Sequence, residues 1–176
     1  GMRLFIAIDF NELKDYFVQL QSLLPKNAKL SFTKTFHITL KFLGEVQPIV
    51  AENLIDILKK VDFKSFPVWL DSAGVFPNES YIRVVWLSLK PEDKILGLQR
   101  DVDDSLKEFF KKEKEFKAHI TLARVKSIED KKIFVEQLKK IKIENKKTEV
   151  KQFRLVKSTL TPNGPVYEDL EVFKGG

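Results

Sequence analysis

The chain contains only two histidines, and each begins the same four-residue sequence. "HITL" occurs at residues 37–40 and again at 119–122, about half the chain apart. At average residue usage, two histidines followed by the same three residues arise by chance on the order of once in several thousand cases. The repetition favours a shared chemical role for His37 and His119 over two unrelated structural histidines.

Alternation along a β-strand determines which neighbours share a face with each histidine. In an extended HITL segment His37 and Thr39 point to one side, and the apolar residues between them point to the other. The second copy pairs His119 with Thr121 in the same way. Each half of the chain therefore presents one imidazole beside one hydroxyl, while the apolar side chains pack inside.

Two imidazoles suit a reaction that needs one general base and one general acid in the same turnover. Imidazole performs either role near neutral pH, because its unperturbed pKa is about 6.5. The threonine hydroxyls can donate hydrogen bonds to the non-bridging oxygens of a phosphate, and nearby cations can offset its charge. These residues predict metal-free cleavage or transfer at a phosphodiester.

Two cations and three aromatic residues near the motifs are further candidates. Lys41 has the same strand parity as His37, so it is either a second phosphate-binding cation or a solvated lysine. Arg124 has the opposite parity to His119, and a phosphate role for it requires the strand to end or bulge. Three aromatic side chains could stack a base but are more typical of a core: Phe36, Phe42 and Phe76.

The segments around the two motifs repeat as well. Each motif is preceded by an apolar run and a segment with helical spacing, and is followed by a second helical segment and β-rich sequence. The first set is 3–10, 11–24, 48–61 and 66–76, and the second is 81–90, 91–112, 128–141, 150–160 and 165–173. Each half predicts a β-α-β-α-β unit, with one extra strand at the end. No glycine- or serine-rich linker separates the halves, so we expect an α+β fold in which residues 1–176 form a single domain of two similar lobes.

Composition narrows the function classes. The absence of cysteine excludes disulfides, thiolate nucleophiles and Cys-ligated metals. The net charge of +6 favours anionic partners such as nucleic acid or phosphate esters. Asp9 interrupts the first apolar run too early for a membrane span, and we expect a cytoplasmic protein.

The repeated H-x-T motif and its surroundings resemble the 2H phosphoesterase superfamily, and within it the LigT-like RNA 2′,3′-cyclic phosphodiesterases, also called 2′-5′ RNA ligases. The similarity covers nearly the whole chain. The similar segments are RLFIAID (3–9), HITLKFLGEV (37–46), AGVFPN (73–78), RVVWLSL (83–89), FKAHITLARV (116–125) and GPVYEDLEVF (164–173).

The resemblance implies a bilobal, pseudo-twofold α+β fold with antiparallel sheets, in which the two motifs face each other across a cleft. It implies hydrolysis of a terminal 2′,3′-cyclic phosphate to a 2′-phosphomonoester, with no cofactor and no metal, and a reversible ATP-independent 2′-5′ joining activity in some members. By position, His37 and His119 would be the acid–base pair, Thr39 and Thr121 would bind the phosphate, and Arg124 would contact the substrate. The expected partner is RNA with a 2′,3′-cyclic phosphate end, tRNA fragments included, bound by a monomer that needs no membrane.

Other functions remain open at this stage. The basic charge and aromatic content also suit a non-catalytic RNA-binding module, which would need neither histidine. A related two-histidine enzyme could act on small cyclic nucleotides or on 2′-5′ linkages instead of RNA ends. A metalloenzyme is a further class, but neither motif offers a carboxylate at metal-binding spacing.

Overall fold

The computed structural model describes residues 1–176 and contains nine β-strands and four α-helices. The strands are β1 (Met2–Asp9), β2 (Ala28–Phe32), β3 (His37–Val46), β4 (Phe66–Asn78), β5 (Tyr81–Lys90), β6 (Ile120–Ile128), β7 (Lys147–Val150), β8 (Gln152–Thr161) and β9 (Gly164–Lys174). The helices are α1 (Lys14–Leu23), α2 (Pro48–Leu58), α3 (Asp93–Ser105) and α4 (Lys131–Lys139), and a 3-10 turn (Asn11–Leu13) precedes α1. Every element predicted from periodicity is present, and the short strands β2 and β7 are additional.

Local side-chain chemistry sets several element boundaries. The Asp130 side chain accepts a hydrogen bond from the Ile133 N–H at 3.0 Å and so caps the start of α4. Pro48 stands in the first turn of α2, where no N–H is needed. Asn78 Oδ1 accepts the N–H groups of Ser80 and Tyr81 and closes the tight turn between β4 and β5.

The strands form two antiparallel sheets, which confirms the predicted α+β class. The first sheet has the order β3-β1-β8-β9, and the second has the order β2-β6-β5-β4-β7. Each H-x-T strand, β3 in one sheet and β6 in the other, lies beside the first strand of its own half of the chain. The strand β5, whose two faces are both largely apolar in sequence, is central in its sheet, as predicted.

The two halves of the sequence and the two lobes of the structure do not coincide. The last strand of the first half, β4, lies in the second sheet, and the last strands of the second half, β8 and β9, lie in the first sheet beside β1. The turn between β4 and β5 is so short that these two strands must pair as a hairpin, and this pairing carries β4 into the second lobe. Each lobe is therefore completed by strands from the other half.

The hydrophobic core lies on the helix-covered faces of the two sheets. One cluster of 39 buried residues contains Leu4, Ile6 and Ile8 of β1 together with the buried faces of the helices. The alternate residues Phe5 and Ala7 belong to a separate three-residue cluster on the opposite face of β1. That opposite face is the one turned toward the cleft.

None of the four helices has the length and hydropathy that crossing a bilayer requires.

Candidate active site

The first H-x-T motif begins strand β3, and the second begins immediately before β6. His37, Thr39, His119 and Thr121 are all half-buried, whereas the isoleucine between each His–Thr pair is fully buried in the core. The alternation expected from the sequence therefore holds over these residues. Each lobe turns an imidazole and a hydroxyl toward the cleft.

A β-bulge follows each motif and reverses the strand parity. In the first sheet Ala7 pairs with Thr39 and Ile6 pairs with Lys41, so that Leu40 between them has no partner. In the second sheet the partners of β5 skip Leu122 in the same way. A second register shift follows at Leu43 in the first strand and at Lys126 in the second. The residues between the two shifts consequently lie on the opposite face from the one that simple alternation predicts.

The bulge at Leu122 places Arg124 on the same face as His119. Arg124 pairs with Val84, two residues beyond the Trp86 partner of Thr121, and its side chain is exposed. A phosphate role for Arg124 required the strand to end or bulge before this residue, and the bulge at Leu122 is present.

Lys41 neither lies beside His37 nor is solvated, so both alternatives that the sequence left for it are wrong. The bulge at Leu40 turns Lys41 into the protein, where it is 3% exposed and its Nζ lies 2.7 Å from Asp103 Oδ1. Its ammonium group also donates to the Lys111 carbonyl at 2.7 Å. Lys41 is a buried structural cation in this fold.

Phe42 takes the cleft position that the sequence had given to Lys41. Its side chain is 72% exposed, and its position in the first lobe is equivalent to that of Arg124 in the second. Together with Phe5 and Tyr167 it forms a group that we call the aromatic platform. The Phe5 centroid lies 6.0 Å from that of Phe42 and 5.3 Å from those of both Tyr167 and His37.

The second histidine also lies among aromatic rings. The His119 ring is 4.8 Å from Phe76 and 6.4 Å from Trp86, and those two rings stack on each other at 4.8 Å. Gly74 makes this stack possible, because a Cβ at that position would come within 2.5 Å of the Trp86 ring. The three phenylalanines that could stack a base were expected mainly in the core. Phe36 is fully buried and Phe76 contacts His119, but Phe42 is exposed, so the core expectation is wrong for Phe42.

Burial lowers the pKa of both histidines. For His37 the lowering by burial is the largest effect, the nearby Asp9 carboxylate raises the pKa, and the positive charge of His119 lowers it. The strands that carry the two histidines, β3 and β6, contact each other although they belong to different sheets. For His119, burial is again the largest effect on the pKa and is opposed by the hydrogen bond to the Lys117 carbonyl.

The hydrogen bond of His119 fixes its tautomer. Nδ1 lies 2.8 Å from the Lys117 carbonyl oxygen, which can only accept, so Nδ1 carries the proton. In the neutral ring the lone pair is then on Nε2.

One arginine on the cleft face was not predicted from the sequence. Arg154 of β8 pairs with Ala7, so its side chain shares the face of Thr39. Its Nη1 lies 2.6 Å from Asp169 Oδ2 and 3.4 Å from Asp9 Oδ2, and its Nε has no protein partner. Only the pairing of β8 with β1 brings Arg154 here, so its position in the sequence gave no indication of it. No three His, Asp or Glu side chains converge in a way that could hold a metal ion.

Two antiparallel sheets that each contribute one H-x-T motif to a shared cleft define a duplicated two-histidine fold. The family described as LigT like phosphoesterase matches this chain twice, over residues 8–86 and 87–167. The chain belongs to this family.

Several relatives and solved structures support the assignment. A Methanocaldococcus jannaschii protein named RNA 2′,3′-cyclic phosphodiesterase is 39% identical over 95% of this chain and 97% of its own length. An Archaeoglobus fulgidus protein of the same name is 36% identical over 98% of this chain and 100% of its own length. Among solved structures, a Thermus thermophilus protein matches 98% of this chain and 97% of its own length with a TM-score of 0.82 at 28% identity. The apo form of E. coli LigT shares the fold, with a TM-score of 0.78 at 24% identity over 99% and 97% of the two chains.

Proposed function

We propose that this protein is an RNA 2′,3′-cyclic phosphodiesterase that opens a terminal cyclic phosphate to a 2′-phosphomonoester. The observation that carries the proposal is the pair of half-buried imidazoles, His37 and His119, one from each lobe, each with a threonine hydroxyl on the same face. The names of the relatives support the substrate class. The whole chain, residues 1–176, acts as one unit in this proposal, because each lobe is completed by strands from the other half.

The surroundings of the two histidines favour different roles for them. His119 donates from Nδ1 to the Lys117 carbonyl, so its Nε2 lone pair is available to take a proton from water. Burial lowers the pKa of His37, and the carboxylate of Asp9, its partner on β1, opposes that lowering by favouring the imidazolium form. We assign His119 as the general base and His37 as the general acid for hydrolysis.

The chemical step then balances with these two groups alone. The water oxygen forms a bond to phosphorus while its proton passes to His119 Nε2. The bond between phosphorus and the 3′ oxygen breaks, and His37 donates a proton to that leaving oxygen. The product carries a 2′-phosphate and a free 3′ hydroxyl, and exchange of protons with solvent restores both imidazoles.

Thr39, Thr121 and Arg124 hold the phosphate in this proposal. Each threonine hydroxyl donates to a non-bridging oxygen, and the exposed guanidinium of Arg124 offsets its negative charge. A hydrogen bond to a charged group contributes about 1.5 to 3 kcal/mol. Replacement of either threonine by alanine should therefore lower kcat/KM about 10- to 100-fold.

The aromatic platform of the first lobe gives the nucleotide base a surface to stack on. Phe42 is exposed at the position where the second lobe has Arg124, and it borders Phe5 beside His37. The two lobes thus differ at equivalent positions, one presenting a ring and the other a cation. We infer that the terminal base lies on the first lobe and that the adjoining phosphate backbone lies toward the second.

Finer aspects of the function belong to the same proposal. We propose that the protein acts on RNA ends, tRNA fragments included, as a cytoplasmic monomer that requires no metal or other cofactor. Reversal of the same chemistry, in which a 5′ hydroxyl replaces water, would give ATP-independent 2′-5′ joining.

One assay tests the proposal against its alternatives. Wild-type protein is incubated without nucleotide, with EDTA in one arm and without it in another, with an RNA that ends in a 2′,3′-cyclic phosphate. The product phosphate is located by sensitivity to a 3′-specific phosphatase. A resistant 2′-phosphate product supports the proposal. Tight binding without turnover would identify an RNA-binding module, loss of turnover in EDTA would indicate a metalloenzyme, and turnover confined to mononucleotides or to 2′-5′ linkages would identify a different substrate class.

A further inference from the structure

Two buried glutamines lie directly behind the bulges that follow the H-x-T motifs. Gln21 on α1 and Gln99 on α3 are each 4% exposed. Gln21 Nε2 donates to the Leu122 carbonyl at 2.9 Å, and Gln99 Nε2 lies 3.5 Å from the Leu40 carbonyl. Leu122 and Leu40 are the two residues that the bulges leave unpaired. The same side chain type therefore meets the same backbone group in both lobes.

A bulge needs such partners, because its extra residue drops out of the sheet ladder and a buried carbonyl without a donor is costly. Several hydrogen bonds hold the backbone around Leu122. Thr33 donates its N–H to the Leu122 carbonyl at 3.1 Å and its hydroxyl to the Thr121 carbonyl at 2.8 Å. Gln21 Nε2 also donates to the Thr33 carbonyl at 2.8 Å and so ties the helix, the loop and the bulge together.

Each glutamine contacts the bulge that belongs to the other half of the chain. Helix α1 precedes the first motif in sequence, yet its Gln21 holds the bulge after the second motif. Helix α3 precedes the second motif, yet its Gln99 reaches the bulge after the first. Each half of the chain therefore shapes the site strand of the other half.

We propose that Gln21 and Gln99 are positioning residues, which hold the two bulges and thereby keep Arg124 and Phe42 on the faces of the histidines. The bulges alone give these side chains their direction, because simple alternation would turn both toward the core. The kinetic part of this inference rests on the proposed function, whereas its structural part does not.

The kinetic test is a double-mutant cycle between Gln21 and Arg124. Gln21→Met keeps a long unbranched side chain but cannot donate, and kcat/KM for a 2′,3′-cyclic phosphate RNA end should fall about 10-fold. In an Arg124→Ala background the same substitution should change kcat/KM less than about 2-fold, because the residue that it positions is gone. Gln19→Met on the exposed face of the same helix and Thr148→Val, a buried polar site away from the cleft, are the matched controls. Equal losses in both Arg124 backgrounds would reduce Gln21 to a structural residue and overturn the proposal.

A second measurement does not depend on catalysis. Backbone amide exchange at Ala123 and Arg124, followed by NMR, should accelerate in Gln21→Met and remain unchanged in Gln19→Met. Unchanged exchange in Gln21→Met would overturn the proposal even if the wild-type protein is active. If the wild-type protein hydrolyses no cyclic phosphate, the proposed function fails while the exchange result still decides the positioning role. If Gln21→Met does not fold, Gln99→Met keeps the proposal falsifiable, because it should accelerate exchange of the Lys41 and Phe42 amides beyond the bulge at Leu40, and unchanged exchange there would overturn the proposal.

Discussion

Replacement of Lys41 by methionine tests the bulge in the first lobe through protein stability. The Lys41 and Asp103 side chains are 1% and 4% exposed, and their charged atoms lie 2.7 Å apart. Removing one partner of a buried ion pair leaves an uncompensated charge and costs about 3 to 5 kcal/mol. In a chain of this size each kcal/mol lowers Tm by about 2 to 4 °C, so Lys41→Met should lower Tm by about 6 to 20 °C.

Substitution of Asp103, the partner of Lys41, separates the energetic effect of the ion pair from the effect of lost side-chain packing. Asp103 Oδ2 also accepts the Glu113 N–H at 2.9 Å, and Asp103→Asn keeps an acceptor for that donor. The double variant with Lys41→Met buries no unpaired charge, so it should be more stable than the sum of the single losses predicts, by about 1 to 3 kcal/mol.

Chemical denaturation, with the midpoint and the slope both fitted, measures these differences. Lys112→Met is the control, because Lys112 pairs with Asp104 while both side chains are more than half exposed. A surface pair of this kind contributes about 0 to 1 kcal/mol. If Lys41→Met matched the Lys112→Met control in stability and instead weakened RNA binding, Lys41 would lie in the cleft and the bulge would be wrong.

Further predictions concern the site itself. His37→Ala and His119→Ala should each lose about 10²- to 10⁴-fold in kcat while circular dichroism shows native folding, and near-normal turnover by either variant would exclude the two-histidine mechanism. Because burial lowers the pKa of His119, the proposed base stays neutral to lower pH than usual, and the acidic limb of the kcat/KM profile should lie below a pH of about 6.5. Asp9→Asn removes the charge that raises the pKa of His37, so the alkaline limb should move to lower pH, and an unmoved limb would contradict the assignment of the acid. Phe42→Ala should weaken binding of a substrate analogue about 5- to 100-fold with little change in the salt dependence of that binding. Arg124→Ala should instead reduce the slope of log affinity against log salt concentration. Identical slopes for the two variants would contradict the placement of the base on the first lobe and of the phosphate backbone toward the second.

The sequence by itself determined the chemical groups and the local structure. The repeated HITL segments identify His37 and His119 as the candidate acid–base pair, because the chain has no other imidazoles. Strand alternation places a threonine on the face of each histidine, and this alternation is a property of the local backbone. The spacing of apolar residues likewise located the helices and the longer strands. The short strands β2 and β7 were missed, since five and four residues are too few for a period to be recognised.

Tertiary structure decided which side chains accompany the two histidines. The bulges at Leu40 and Leu122 depend on partners distant in sequence, namely the neighbouring strand and a glutamine on a helix of the other half, so alternation alone placed Lys41 on the wrong face. The exchange of β4 and β8 between lobes depends on which strands pair, and strand pairing is a non-local choice that periodicity does not encode. Tyr167 reaches His37 only through that pairing. The sequence specifies which groups are available for the proposed chemistry, and the register between distant strands specifies what surrounds them.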